Sequence, residues 1–311
     1  MKNYRLLKLN FALLFGAVAV LNSCKETPIK NIENKDIAEA VEINVAQKKQ
    51  LSDEFKKYWY AGKAEITSYT LKQSRYGELR DGSVVFIYVT EPFSAEKQVK
   101  ADAQNADNIP VLKLNSTKNY LTGIYPYSIM TSSFYPVYDN SNALKVTFSA
   151  QEWCGQVYAQ LNNKENFEIT SHSYFEKEGD QDFSLDKTLL EDEIWNKIRI
   201  NPANLPTGEI KIIPSFEYIR VYHKEMKIQN AVAKMEILEN GLTSYSINYP
   251  ELQRSLSIIF TSDFPHSIES WNETITNGTL ISSGQKKKRI ITPYWEQNSN
   301  SDLFLRDSLG L

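Results

Sequence analysis

The chain has 311 residues, with 35 Lys+Arg against 38 Asp+Glu and a net charge of −3. That mild acidity speaks against a nucleic-acid partner, which usually meets a basic face. The only cysteines, Cys24 and Cys154, provide no disulfide framework, so burial has to hold the fold, as a chain of this length allows.

The first residues carry Lys2, Arg5 and Lys8 and no acid, and Phe11–Leu21 is then uninterruptedly apolar. That run is about half the roughly 20 residues needed to cross a bilayer. It suits the apolar region of a signal peptide spanning residues 1–23. Leu21-Asn22-Ser23-Cys24 follows. Leu21 is too large for an ordinary secretory cleavage site, whereas Leu three places before a Cys and a small residue just before it resemble a bacterial lipobox. The resemblance implies an outer-membrane lipoprotein of the cell envelope, with a diacylglyceryl group on the Cys24 thiol and an acyl chain such as palmitate on its new amino group. One chain would hold only marginally, whereas two or three anchor the protein without a membrane span. Residues 1–23 take three bases and no acids, so the remaining 288 residues carry 32 bases against 38 acids, a net charge of −6.

Residues 24–49 are polar and charged and read as a tether, with Ile37, Val41 and Val45 at helical spacing. Lys25-Glu26 partly resembles the charged surface-export signal of Bacteroidota lipoproteins, interrupted by Thr27. Ser52-Asp53-Glu54 caps a short helix carrying Phe55, Tyr58 and Trp59. Strands are expected at 64–73 and 83–90, joined across Arg80-Asp81-Gly82. Further strands are expected at 111–115, 119–125, 128–134, 144–148, 156–161 and 167–175. After a charged break at 177–182, where the domain could divide, Ser184 is expected to cap a helix with Leu185, Leu189, Trp195 and Ile198 on one face, stopped by Asn201-Pro202. Strands resume at 209–213 and 218–223. Residues 231–238 and 243–249 form a hairpin across Asn240-Gly241, and strands at 256–260 and 267–273 complete the set. No internal repeat is present. Residues 50–275 thus read as a mainly β domain, a long curved antiparallel sheet or half-barrel around one central helix, and 276–311 as a polar tail.

Two resemblances follow. From Trp195-Asn196-Lys197-Ile198-Arg199 through Pro206-Thr207-Gly208 to Leu238, the chain resembles envelope proteins similar to the lipoprotein carriers LolA and LolB, which implies a curved sheet cradling an acyl chain. Tyr58–Lys63, Gln151–Gly155 and Arg306–Leu311 resemble a family of Bacteroidota lipoproteins of unknown activity, often called septum formation inhibitor Maf. True Maf proteins open with Ser-x-Ser-Pro-Arg-Arg, which this chain lacks.

No catalytic residue, cofactor or metal ligand is assigned. Cys154 reads as a buried structural thiol, with a redox or partner thiol and a nucleophile served by His172 as alternatives. His172, His223 and His266 lack metal-ligand spacing. Glu191, Asp192 and Glu193 read as the solvated face of the helix, and Lys286–Arg289 as a solvated loop or a contact for anionic lipid headgroups. Tyr120, Tyr125, Tyr127, Phe134, Tyr135 and Tyr138 read as sheet core, with a platform for sugar rings or lipid tails as the alternative. The expected function is to bind a lipid or amphipathic ligand in the curved sheet. A structural accessory of an envelope assembly, with a protein partner, is the second reading, and a hydrolase using Cys154 or paired carboxylates the third.

Overall fold

The computed structural model describes residues 51–311 apart from 104, 139–140 and 276–279. The expected signal peptide, Cys24 and the expected tether therefore lie outside the described residues. The chain enters through α1 (Asp53–Trp59), where the Ser52 hydroxyl accepts from the Phe55 N–H at 3.1 Å, the expected cap.

The strands are β1 (Ala64–Arg75), β2 (Glu78–Ser94), β3 (Val99–Lys100), β4 (Ile109–Thr122), β5 (Tyr125–Pro136), β6 (Lys145–Glu152), β7 (Gly155–Asn163), β8 (Phe167–Ser173), β9 (Gln181–Leu185) and β10 (Leu189–Leu190). Helix α2 (Glu191–Ile200), β11 (Gly208–Ile213) and α3 (Phe216–Val221) follow. The chain ends with β12 (Gln229–Ile237), β13 (Leu242–Tyr249), β14 (Arg254–Thr261), β15 (Ile268–Ile275), β16 (Ile281–Thr292) and α4 (Phe304–Leu309). All sixteen strands join one sheet, in the order β10-β11-β12-β13-β14-β15-β16-β1-β2-β4-β5-β6-β7-β8-β9, with β3 on β2. Every pairing is antiparallel except β10 with β11. The sheet is open, yet its edges β9 and β10 are joined by residues 186–188 alone, a span of at most ~14 Å. The expected curved antiparallel sheet around a central helix is the observed fold.

Alternation builds the inner wall. In β14, Arg254, Leu256, Ile258 and Phe260 are buried while the residues between them are half-exposed, the period-2 signature of a sheet with one covered face. The Asn240-Gly241 hairpin forms as expected, both residues at positive φ and Met235 opposite Tyr245. Gly284 of β16 has a packing reason. A Cβ there would fall 2.1 Å from the Trp271 ring, so only glycine lets that indole lie across the strand.

Several expectations are corrected. The polar tail contains β16, which sits between β15 and β1 in the middle of the sheet. Its polar residues belong to a strand whose outer face meets water. Lys286–Arg289 accordingly lies in that strand, with Lys286 paired to Glu269 and Lys287 donating to the Gly310 carbonyl. Helix α4 closes over the outside of the sheet, where Leu309 is buried with Ala64, Ile66 and Val89. The first hairpin turns at Tyr76-Gly77, both at positive φ, instead of Asp81-Gly82. Gly82 is inside β2, where a Cβ would meet the Asn119 carbonyl at 2.3 Å. The strands expected at 111–115 and 119–125 are one strand, β4. The charged break at 177–182 runs into β9, which pairs with β8, so the sheet continues across it.

The helix expected from Ser184 begins only at Glu191, because Ser184 and Leu185 complete β9 and Leu190 is the N-cap. The strand expected at 218–223 is mostly α3, capped by the Ser215 hydroxyl, which accepts from the Tyr218 N–H. The alternation of Tyr218, Arg220 and Tyr222 reads as a strand, but this short helix is buried on most sides. Among the described residues, no helix is long and apolar enough to cross a membrane.

Candidate functional site

Helix α2 fills the concavity, and its charges face inward. Glu191, Asp192 and Glu193, expected on a solvated face, are 2%, 7% and 0% exposed. Carboxylates in a first turn suit the helix dipole, but burial has to be offset by partners, and the surrounding strands supply them. Arg254 of β14 donates from both terminal nitrogens to Glu191, at 2.5 and 2.7 Å, and from Nε to Glu273 of β15 at 2.5 Å. The Tyr249 hydroxyl donates to the same Glu191 at 2.6 Å. Burial raises the Glu191 pKa, but the charge and hydrogen bonds of Arg254 outweigh it and hold the carboxyl below its usual range.

At the other end of α2, Arg199 grips Glu65 of β1 at 2.6 and 2.7 Å, its guanidinium within 5 Å of the Trp59 and Tyr88 ring centres. Glu193 accepts from the Ala143 and Leu190 N–H groups and from Asn142. Burial still pushes it up to about 7, against the nearby charge of Lys197.

Beside the first turn of α2, the inner wall leaves a pocket between β1, β2, β4, β5, β14, β15 and α3. It has about 80 Å³ of room for the centres of water molecules, space for several. Phe86, Trp195 and Trp271 form its aromatic side. Phe86 stacks on Trp271 at 5.3 Å and Trp195 meets Trp271 edge-on at 5.6 Å. Its polar side carries Glu191, Asp192, Glu217 and Glu273 against Lys118 and Arg254. Lys118 is paired to Glu217 and donates to the Gln73 side-chain carbonyl at 3.2 Å. Asp192 accepts a hydrogen bond from the Phe216 N–H at 3.1 Å. Burial pushes it up to about 8, opposed by that N–H and reinforced by the charges of Glu191 and Glu217. Two lining residues, Ser133 at 1% exposure and Tyr218 at 3%, carry buried hydroxyls without a hydrogen-bond partner among the described residues.

Most of these residues were not singled out in the sequence, but a signal was there. Gln73 follows Tyr69 and Leu71 in phase, Lys118 follows Leu114, Ser133 follows Ile129, Arg254 precedes Leu256, and Glu273 follows Trp271. Polar residues in phase with an inward apolar row mark inward polar positions.

The other candidates are scattered. Cys154 is exposed in the β6–β7 turn, contrary to the buried thiol expected. A hydrogen bond to Glu152, and then that carboxylate's charge, raise the thiol pKa, which opposes nucleophile formation. His172 pairs with Asp180 and His223 with Glu178, while His266 lies against the Thr261 carbonyl. Tyr120, Tyr127 and Tyr135 are buried in the core, as expected, with Tyr120 and Tyr127 stacked at 4.9 Å. Tyr125, Phe134 and Tyr138 are half-buried.

No protein-family model matches this chain, and no curated protein does. A solved β-barrel-like protein of a domain of unknown function, DUF1849, from Brucella abortus aligns at 10% identity and a TM-score of 0.44. The alignment covers 74% of this chain and 98% of that one.

Proposed function

We propose that this protein is an envelope lipoprotein, held to the membrane by acyl chains on Cys24, whose pocket beside α2 binds a compact amphipathic ligand. The observation that carries the binding reading is the pair of unsatisfied hydroxyls, Ser133 and Tyr218, in a cavity with one aromatic and one charged side. A buried polar group without a partner costs about 1–3 kcal/mol, which a bound molecule would recover. Helices α2 and α3 occupy most of the concavity, so the remaining space suits a small amphipath better than a long acyl chain. Native mass spectrometry of the full chain, extracted gently from membranes, tests this. We expect a bound small molecule that Ser116→Trp, which fills the pocket, removes. A protein that carries no bound species and whose tryptophan fluorescence ignores a library of small amphipaths would refute it.

The second reading, an accessory of an envelope assembly with a protein partner, draws on the hairpin tips at one end of the sheet. Ile124, Trp153 and Tyr174 are 82%, 69% and 80% exposed, and the turns that carry them fall at the same end because the intervening strands alternate in direction. Loss of a co-isolated envelope protein on changing Trp153→Ser and Ile124→Ser together would favour it.

A further inference from the structure

We infer that the pocket ligand is an organic cation, an amine with a compact apolar body, whose ammonium group sits against the Asp192 carboxyl. The inference deepens the binding reading and rests on it. Four carboxyl side chains line the pocket against two cations, and both cations are already committed. Arg254 is shared by Glu191 and Glu273, and Lys118 is held by Glu217 and Gln73. An incoming anion would find no free cation and four acids. Of the four carboxyls, Asp192 alone has no cationic partner within ion-pair distance among the described residues, where its only hydrogen bond comes from the Phe216 N–H. The ligand class also follows from two features besides the acids. Ser133 and Tyr218, which line the same cavity, carry buried hydroxyls without a hydrogen-bond partner among the described residues. Phe86, Trp195 and Trp271 offer an apolar side for a hydrocarbon body, and Tyr222 offers a ring that attracts a nearby cation.

The proton balance makes the inference measurable. Asp192 faces Glu191 on its own helix, Glu217 of α3 and Arg254 of β14, and near neutral pH it retains its proton. When an ammonium group takes its place beside the carboxyl, an N–H···O bond forms, the O–H bond of Asp192 breaks, and that proton goes to solvent. One proton is released per amine bound. Affinity therefore rises about tenfold per pH unit below about 8 and levels off above it.

The test is calorimetric titration of the full chain with phenethylamine, 2-phenylethanol and 3-phenylpropanoate, three probes of similar body and different charge. We expect the amine to bind at least tenfold tighter than the alcohol. At pH 6.5, buffers of different ionisation enthalpy should show one proton released. Asp192→Asn should bring the amine down to the affinity of the alcohol, and Ser116→Trp should abolish all binding. If the alcohol or the carboxylate binds as well as the amine, and Ser116→Trp still abolishes it, the cation inference falls while the pocket reading stands. If none of the three binds, both fall. The comparison of probes on the unaltered protein holds even if Asp192→Asn fails to fold.

Discussion

Arg254 and Glu191 meet through two parallel hydrogen bonds, each side chain 2% exposed, joining β14 to the first turn of α2. Breaking a buried pair by removing one partner leaves an uncompensated charge and typically costs about 3–5 kcal/mol. Arg254→Met should therefore destabilise the fold by about that amount in urea denaturation. Because the cost is the orphaned carboxylate, the double change Arg254→Met with Glu191→Met should be milder than the sum of the single changes by at least ~1 kcal/mol.

Trp271 and Gly284 form a second dependency. Any side chain at 284 collides with the indole, and overpacking of this kind costs about 1–3 kcal/mol. Gly284→Ala should lower stability by that amount and shift the tryptophan emission, since Trp271 must leave its stack on Phe86. Because Trp271 lines the pocket, pocket binding should weaken in the same variant.

The buried Asp192 predicts a pH dependence with a definite sign. Its folded pKa, about 8, lies above its unfolded value, so the folded state holds a proton that the unfolded state releases. Its stabilising contribution is fully present below the unfolded pKa and is lost as pH rises from about 4 to about 8. Asp192→Asn removes that loss. The melting temperature of the variant relative to the unaltered protein should therefore climb between pH 4 and pH 8 and stay level above it, with melting curves taken by circular dichroism.

Cys154 should be chemically accessible and structurally dispensable. One thiol should titrate with an aromatic disulfide reagent without denaturant, faster as pH rises, because Glu152 holds its pKa up. Cys154→Ser should leave stability within ~0.5 kcal/mol.

The lipid reading makes its own prediction. Cys24→Ser should lose incorporation of labelled palmitate and move the protein from the membrane to the soluble fraction. Retention of both label and membrane association would remove Cys24 as the anchor.

Most strands were legible because each carries its own evidence. The alternation in β12 and β13 and the Asn240-Gly241 turn were sufficient for that hairpin. Ser52 marked α1 in the same way, through a capping hydroxyl three residues from the N–H that donates to it. Such features depend on neighbours close in the chain. The strand β16 was not legible, since a polar strand with one wet face has the composition of a loop until β15 and β1 are placed on either side of it.

The buried acids of α2 show the limit most clearly. Three consecutive carboxyls on a helix read as a solvated face because burying them alone would be prohibitive. Their partners lie far away in sequence, Arg254 63 residues from Glu191 and the Ala143 N–H 50 residues from Glu193. Local backbone preference and period were enough for most strands, the Asn240-Gly241 turn and the capped entry helix. Only the packing of distant strands around α2 set which acids turn inward and which are paired, and left Asp192 protonated at the pocket with no cation within ion-pair distance among the described residues, because a buried carboxyl keeps its charge only where distant strands bring its partner.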